Sequence, residues 1–400
     1  MGKWGWIFLS MFLLFVVVIL SVLVGALSTG LLSSNNNNRT PSSPNLQLKD
    51  TWTPTSIDNN MDGIIAFNRF GSHIGWVSSS PEHVSIHVGG YTAKKFHRLS
   101  HEMPIFQTEQ APLDMAIDDT GYQLALLFLD HINIYIRQEQ TISWGLVARL
   151  EVHGLSLVFD DKGYLLYTQQ TPYGIRYAHH DSSWSPHANV LSDQQEGTSF
   201  FGFCLRSQSH FLICSDTGIH NNQGRVYVLK RSYGENDSLY TIHQTLSSSS
   251  DGISFGSQVC LDYDAKRLFV AYGPTDRSIA YYARDIAQVF VLVQHICIDP
   301  YIPASIHLPR AGFKMSCNES YLAFSSVPGD EDNQFGSILI YTFDKSNRAT
   351  RPQHLIQTNS TFGTALHLYP LRKDRKLFDT LTLVTVDSTY EHFGQLLFYQ

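Results

Sequence analysis

The sequence predicts an all-β fold: a seven-bladed β-propeller of four-stranded antiparallel blades, preceded by one N-terminal transmembrane helix. Three observations carry this expectation. Short alternating strands recur at a period near 50 residues, no sustained helical period exists beyond residue 30, and the chain opens on a long uncharged apolar run.

The apolar run comes first. After Lys3, residues 4–27 contain no charge and are dominated by Phe, Leu, Val and Ile (IFLSMFLLFVVVILSVLVGAL). A helix crossing the hydrocarbon core needs about 20 such residues, and Trp4 and Trp6 sit where indoles favour the headgroup layer. A cleaved signal peptide is the alternative, with Val24, Gly25 and Ala26 as small residues near a cleavage point. The run exceeds the roughly 7–15 residues of a signal core, which favours an uncleaved anchor. Lys3 precedes it and the next basic residue is Arg39, so residues 1–3 are expected in the cytoplasm and the rest outside or in a lumen. Residues 28–50 read as a flexible Ser/Asn/Pro-rich stalk, and 51–400 as the propeller.

Composition agrees with export. Of the 400 residues 43% are hydrophobic and only 16% charged, against about 25% charged in an average soluble protein. The net charge of −7 includes no basic stripe, which excludes an electrostatic footprint for nucleic acid.

Next come the repeats. Phe201-Gly202, Phe255-Gly256, Ala311-Gly312 and Phe362-Gly363 each open a strand, a polar turn and an apolar strand. Gly202, Gly256, Gly312 and Gly363 follow one another at intervals of 54, 56 and 51 residues. A third strand follows each, as in GRVYVLKR from Gly224 and GSILIYTF from Gly336. Looser units begin at Phe70-Gly71 and cover Leu113–Arg137 and Leu155–His179, the last two with Asp-Asp-x-Gly turns at Asp118–Gly121 and Asp160–Gly163. Seven units fall within the 4–8 blades that propellers use.

The recurrent Phe-Gly pair, the strand–turn–strand and the Gly-x-[VIL]-x-[VIL] strand together resemble FG-GAP repeats, which build the integrin α-subunit N-terminal propeller. The resemblance is strongest over residues 224–274 and extends over 196–400. It implies a surface binding or adhesion module with a protein or glycan ligand on one propeller face. It also implies calcium loops of the form Asp-x-Asp-x-Asp-Gly, and here the sequence departs: only Asp262 and Asp264, in LDYDAKR, resemble ligands. Calcium takes 6–8 oxygens, so no metal and no cofactor is expected, with that loop the weak candidate.

No catalytic residue is assigned. Gly252–Gly256 matches G-x-S-x-G, but it lies in a linker between strands rather than at a strand-to-helix elbow. His179, His180 and His187 lack metal-ligand spacing. An extracytoplasmic glycan-processing enzyme with carboxylates at the channel mouth stays as the alternative function, and a structural part of a surface assembly as a third.

All five cysteines fall in the second half, and Cys204 and Cys214 flank one hairpin turn as a disulfide candidate. Sequons occur at Asn38, Asn236, Asn318 and Asn359, expected in exposed segments. Finally, the chain ends on a third strand, GQLLFYQ, without a fourth. N-terminal material between Trp52 and Phe67, best Ile64–Phe67, is therefore expected to pair with it and close the ring.

Overall fold

The computed structural model describes residues 48–52, 60–68, 72–79, 84–92, 95–98, 106–138, 143–170, 173–180, 184, 187–191, 201–217, 223–232, 239–248, 255–272, 278–298, 314–326, 337–344, 348–350, 352–356, 366–368, 383–389 and 392–399. All of them belong to the compact unit Ser43–Gln400; the unit Met1–Ser42, with the expected helix over 4–27, lies outside the described residues. Among the described residues, no helix is long and apolar enough to cross a membrane.

The described strands form seven antiparallel sheets. The chain enters on β1 (Leu48–Trp52), then builds a first sheet from β2 (Asn60–Phe67), β3 (His73–Ser79), β4 (Val84–Thr92) and β5 (Lys95–Arg98), with β6 (Phe106–Thr108) also beside β4. The second sheet is β7 (Asp114–Ile117), β8 (Gln123–Leu127), β9 (His131–Arg137) and β10 (Trp144–Glu151). The third is β11 (Leu157–Phe159), β12 (Leu165–Gln170), β13 (Tyr173–Ala178) and β14 (His187–Leu191). The fourth is β15 (Phe201–Gln208), β16 (Phe211–Asp216), β17 (Arg225–Arg231) and β18 (Tyr240–Ser247). The fifth is β19 (Gln258–Leu261), β20 (Arg267–Ala271), β21 (Ser278–Arg284) and β22 (Phe290–Cys297). The sixth is β23 (Met315–Cys317), β24 (Tyr321–Ser326), β25 (Ser337–Thr342) and β26 (Gln353–Ile356). The seventh runs β27 (Leu366–Leu368), β28 (Leu383–Thr389), β29 (His392–Tyr399) and returns to β1.

Burial follows strand position. The second strands β8 and β20 are buried at nearly every residue, and β16 at every residue, because both of its faces meet a neighbouring sheet. One cluster joins Phe211 and Val228 of the fourth sheet to Val259, Val270 and Phe290 of the fifth. Another joins Phe269 and Tyr281 of the fifth to Phe324 and Tyr341 of the sixth. Each core is thus the space between two consecutive sheets, and each fully buried aromatic or Leu contributes about 1.5–3 kcal/mol. Of the fourth strands, β10, β18 and β22 expose much of their length to solvent, and each skips one partner, at Val147, His243 and Val293. Such bulges keep an outer edge from pairing with another chain.

One side chain repeats at the end of the first strands. Asp118 Oδ1 accepts the N–H groups of Tyr122 and Gln123, both at 2.9 Å. Asp160 does this for Lys162 and Tyr164, Asp262 for Lys266 and Arg267, and Asn318 for Ser320 and Tyr321. Asn68 accepts the N–H of His73 likewise. The oxygen closes the turn that the chain must make before the second strand. Gly121 and Gly163, at φ 74° and 80°, complete the two Asp-Asp-x-Gly turns.

The Phe-Gly pairs are described at two places. Phe255 is fully buried between the fourth and fifth sheets, 5.1 Å from the ring of Tyr272. Gly256 adopts φ 92°, and a Cβ there would meet Ser215 and Val226 at 2.9 and 3.0 Å. Phe201-Gly202 lies within β15 itself, while Phe70-Gly71, Ala311-Gly312 and Phe362-Gly363 lie outside the described residues.

Closure differs from the expectation in its residues. Leu48–Trp52 pairs with β29, Asp50 opposite Phe398 and Trp52 opposite Leu396. Ile64–Phe67 instead belongs to β2 and pairs with β3, Phe67 opposite Ile74. The reason is the turn residue: Asn68 accepts the His73 N–H as the other turn residues do and marks Ile64–Phe67 as part of a first strand. Strand β1 therefore starts at Leu48, three residues before the expected propeller boundary at residue 51.

Candidate functional site

The first strands of all seven sheets line one cavity of about 270 Å³. Counting back from the turn residues explains what faces it. Side chains alternate along a strand, so positions four and two before the turn share the inward face. The two-before position holds Ala66, Ala116, Val158, Arg206, Cys260 and Ser316; the four-before position includes Ile64, Asp114, Gln258 and Lys314. Most of this wall is small or apolar. Arg206 and Lys314 break the pattern.

Asp114 is the carboxylate of that wall, and its oxygens are engaged. Oδ2 accepts the Ser156 hydroxyl and the Leu157 N–H at 3.0 Å each, and Oδ1 accepts the Met115 N–H at 2.9 Å. Arg206 donates from one terminal nitrogen to the Leu205 carbonyl at 2.8 Å. Burial pulls the Lys314 ammonium below the ordinary lysine range, and Arg206 adds to this while Asp114 and Cys204 oppose it. His367, from β27, stacks on Phe67 with ring centroids 4.1 Å apart. Burial and then Arg206 pull its pKa down to about 3, so the imidazole stays neutral. The contact also brings the seventh sheet against the first.

A disulfide completes the wall, and it is not the expected one. Cys260 of β19 and Cys317 of β23 are bonded across the fifth and sixth sheets, with Cα atoms 6.0 Å apart. Cys204 and Cys214 are both buried and neither takes part in a disulfide. In their hairpin Leu205, not Cys204, stands opposite Cys214. One position changes the face of the sheet: Cys204 packs toward the fifth sheet and Cys214 toward the third. The sequence showed hairpin proximity but not this parity.

The weak calcium candidates do not converge. Asp262 is buried, bonded to the Lys266 and Arg267 N–H groups, and pushed up to about 6 by burial. Asp264 lies outside with its carboxylate on Lys266 Nζ at 2.8 Å. Among the described residues no three His, Cys, Asp or Glu side chains gather as a metal site. His179 stacks on Tyr164 at 4.2 Å, His180 meets Trp184 edge-on, and His187 starts β14. The sequon at Asn318 is corrected as well: this residue is 1% exposed and its amide oxygen closes a turn. Asn38, Asn236 and Asn359 lie outside the described residues.

A second buried polar group joins the third and fourth sheets. Arg231 pairs with Asp160 at 3.1 Å and Asp161 at 3.0 Å, and the Tyr240 hydroxyl donates to Asp160 at 3.1 Å. Burial raises the Asp160 carboxyl despite Arg231 and two backbone N–H groups. The pair clamps two sheets and lines no part of the cavity.

No family model and no curated protein matches the sequence. Solved structures do resemble the fold. The β-propeller domain of Cps50 (Swd1) from Myceliophteria thermophila gives a TM-score of 0.52 at 10% identity, covering 88% of this chain and 99% of that one. The Dos1 propeller gives 0.50 at 9%, covering 89% and 95%. Hydrazine synthase from Kuenenia stuttgartiensis gives 0.54 at 9%, covering 86% and 97%. At such identities the likeness concerns fold alone, and the fold is a β-propeller.

Proposed function

We propose that the chain is a membrane-anchored, extracytoplasmic seven-bladed β-propeller, FG-GAP-like in its strand pattern, that serves as a surface binding module. The observation that carries the binding role is an apolar patch on the rim. Ile242 of β18 and Val291, Leu292 and Val293 of β22 are 50%, 51%, 43% and 36% exposed. These strands are neighbours, since Gln244 bonds the Phe290 backbone across the two sheets. Contiguous exposed apolar surface marks interaction sites.

The channel chemistry favours binding over glycan hydrolysis. Asp114 and Asp119 both line the cavity, but Asp114 opens β7 and Asp119 lies in the turn that follows it, at the other end of the strand. Paired-carboxylate glycosidases hold theirs about 5–9.5 Å apart. Export is supported by the apolar run over 4–27 and by the Cys260–Cys317 bond, since disulfides persist in oxidising compartments.

Proximity labelling from a peroxidase fused after Gln400 tests the reading on intact cells. The expected result is surface or lumenal neighbours, lost with Ile242→Asp and Val291→Asp, alongside a glycosidase-sensitive gel shift. Cytoplasmic neighbours, or a neighbour set indifferent to the rim variant, would contradict it.

A further inference from the structure

We infer that the central cavity binds a small organic oxyanion, a carboxylate or phosphate monoester, between the Arg206 guanidinium and the Lys314 ammonium. The inference is independent of where the chain resides and of any partner on its rim.

Two cations face one chamber. Arg206, from the fourth sheet, and Lys314, from the sixth, both line it, and Arg206 lies near enough to disfavour the charge on Lys314 and on His367. Among the described residues, neither cation has a carboxylate within ion-pair distance. The nearby Asp114 already accepts three hydrogen bonds from Ser156, Leu157 and Met115. An apolar or uncharged residue at either place would match Ala66, Ala116 and Val158 on the same wall. Two cations that line one chamber with no ion-pair partner among the described residues cost free energy, and a bound anion offsets that cost.

The geometry selects the class of ligand. Among the described residues Arg206 bonds only the Leu205 carbonyl, which leaves the rest of its planar fork for two parallel bonds to an oxyanion. Lys314 adds a point charge. His367 is neutral and stacked, so it does not add a third charge. Over the whole lining Arg206 and Lys314 are balanced by Asp114 and Asp119, so an oxyanion is drawn by the local pair of cations and not by a net charge. The volume of about 270 Å³ holds on the order of nine waters, enough for a small acid and too little for a peptide or oligosaccharide.

The test uses the full chain in detergent, with glycolate and inorganic phosphate as separate probes in titration calorimetry. Saturable binding of either supports the inference if Arg206→Gln and Lys314→Met each weaken it at least tenfold, and the tighter probe identifies the headgroup. Arg206→Lys, which keeps the charge but loses the fork, is expected to lose an intermediate amount. Acetylation of Lys314, mapped by mass spectrometry on the unmutated chain, should slow in the presence of the bound probe. No binding of either probe at tens of millimolar, equal affinity in the variants, or Lys314 acetylation indifferent to the probe would overturn it.

Discussion

The Gln244 side chain spans two sheets by pairing with the Phe290 backbone as a strand would: its Nε2 donates to the Phe290 carbonyl at 2.9 Å and its Oε1 accepts the Phe290 N–H at 2.8 Å. One sheet further on, Gln294 Oε1 accepts the Ala349 N–H at 2.9 Å. A propeller sheet contacts its neighbour mainly through apolar faces, which are non-directional. Gln244 fixes the register of β18 against β22, and Gln294 ties β22 to the segment between β25 and β26.

Replacing Gln244 with Ala leaves the Phe290 N–H and carbonyl without this partner. The expected loss is about 1–3 kcal/mol in urea denaturation. Gln244→Glu keeps the acceptor but not the donor, and should fall between. A loss below a few tenths of a kcal/mol would show that solvent replaces the clamp.

Asp262 supplies a pH prediction. Burial pushes its carboxyl up to about 6 in the folded chain from the ordinary 3.8 of an aspartate, so the folded state holds the proton more tightly. Stability from this group is full below about pH 4 and is lost as pH rises through 6, by up to ~3 kcal/mol. Asn performs the same turn closure at position 318. Asp262→Asn should therefore gain stability relative to the native chain between pH 4 and pH 7, while Asp262→Ala should lose it at both. Comparing denaturation midpoints at the two pH values checks the sign, and a flat or reversed difference would contradict it.

The Cys260–Cys317 bond ties first strands 57 residues apart. In the loop-entropy picture, removing it costs about 4 kcal/mol. Reductant should lower the urea midpoint of the native chain but not that of a Cys260→Ser, Cys317→Ser double variant. Peptide mapping should recover Cys204 and Cys214 as thiols after denaturation without reduction. A linked Cys204–Cys214 fragment would overturn the pairing.

Much of this fold was legible in the sequence, because strand alternation and turn chemistry are local. Phe255-Gly256, Asp118–Gly121 and Asp160–Gly163 all do what their residue types imply. The closing strand was not legible: LKDTW carries no apolar alternation and follows a Ser/Asn/Pro-rich stretch, so only its partner β29 makes it a strand. The site was legible only after the turn residues set the phase. Arg206 and Lys314 are unremarkable in LRSQ and FKMS until Gln208, the last residue of β15, is aligned with the turn residue Asn318, which places both on the cavity wall. The disulfide failed for the same reason, since two cysteines near one turn say nothing about which face each occupies.

Closure of the sheet array by its own N-terminal strand is the claim on which the cavity depends, and it can be tested covalently. Thr51 stands directly opposite Leu397. With Thr51→Cys and Leu397→Cys introduced together, non-reducing peptide mapping should recover the two ends of the domain as one linked fragment, and oxidation should raise Tm by a few degrees. Recovery of both cysteines as free thiols under oxidising conditions, with Tm unchanged, would contradict the closure.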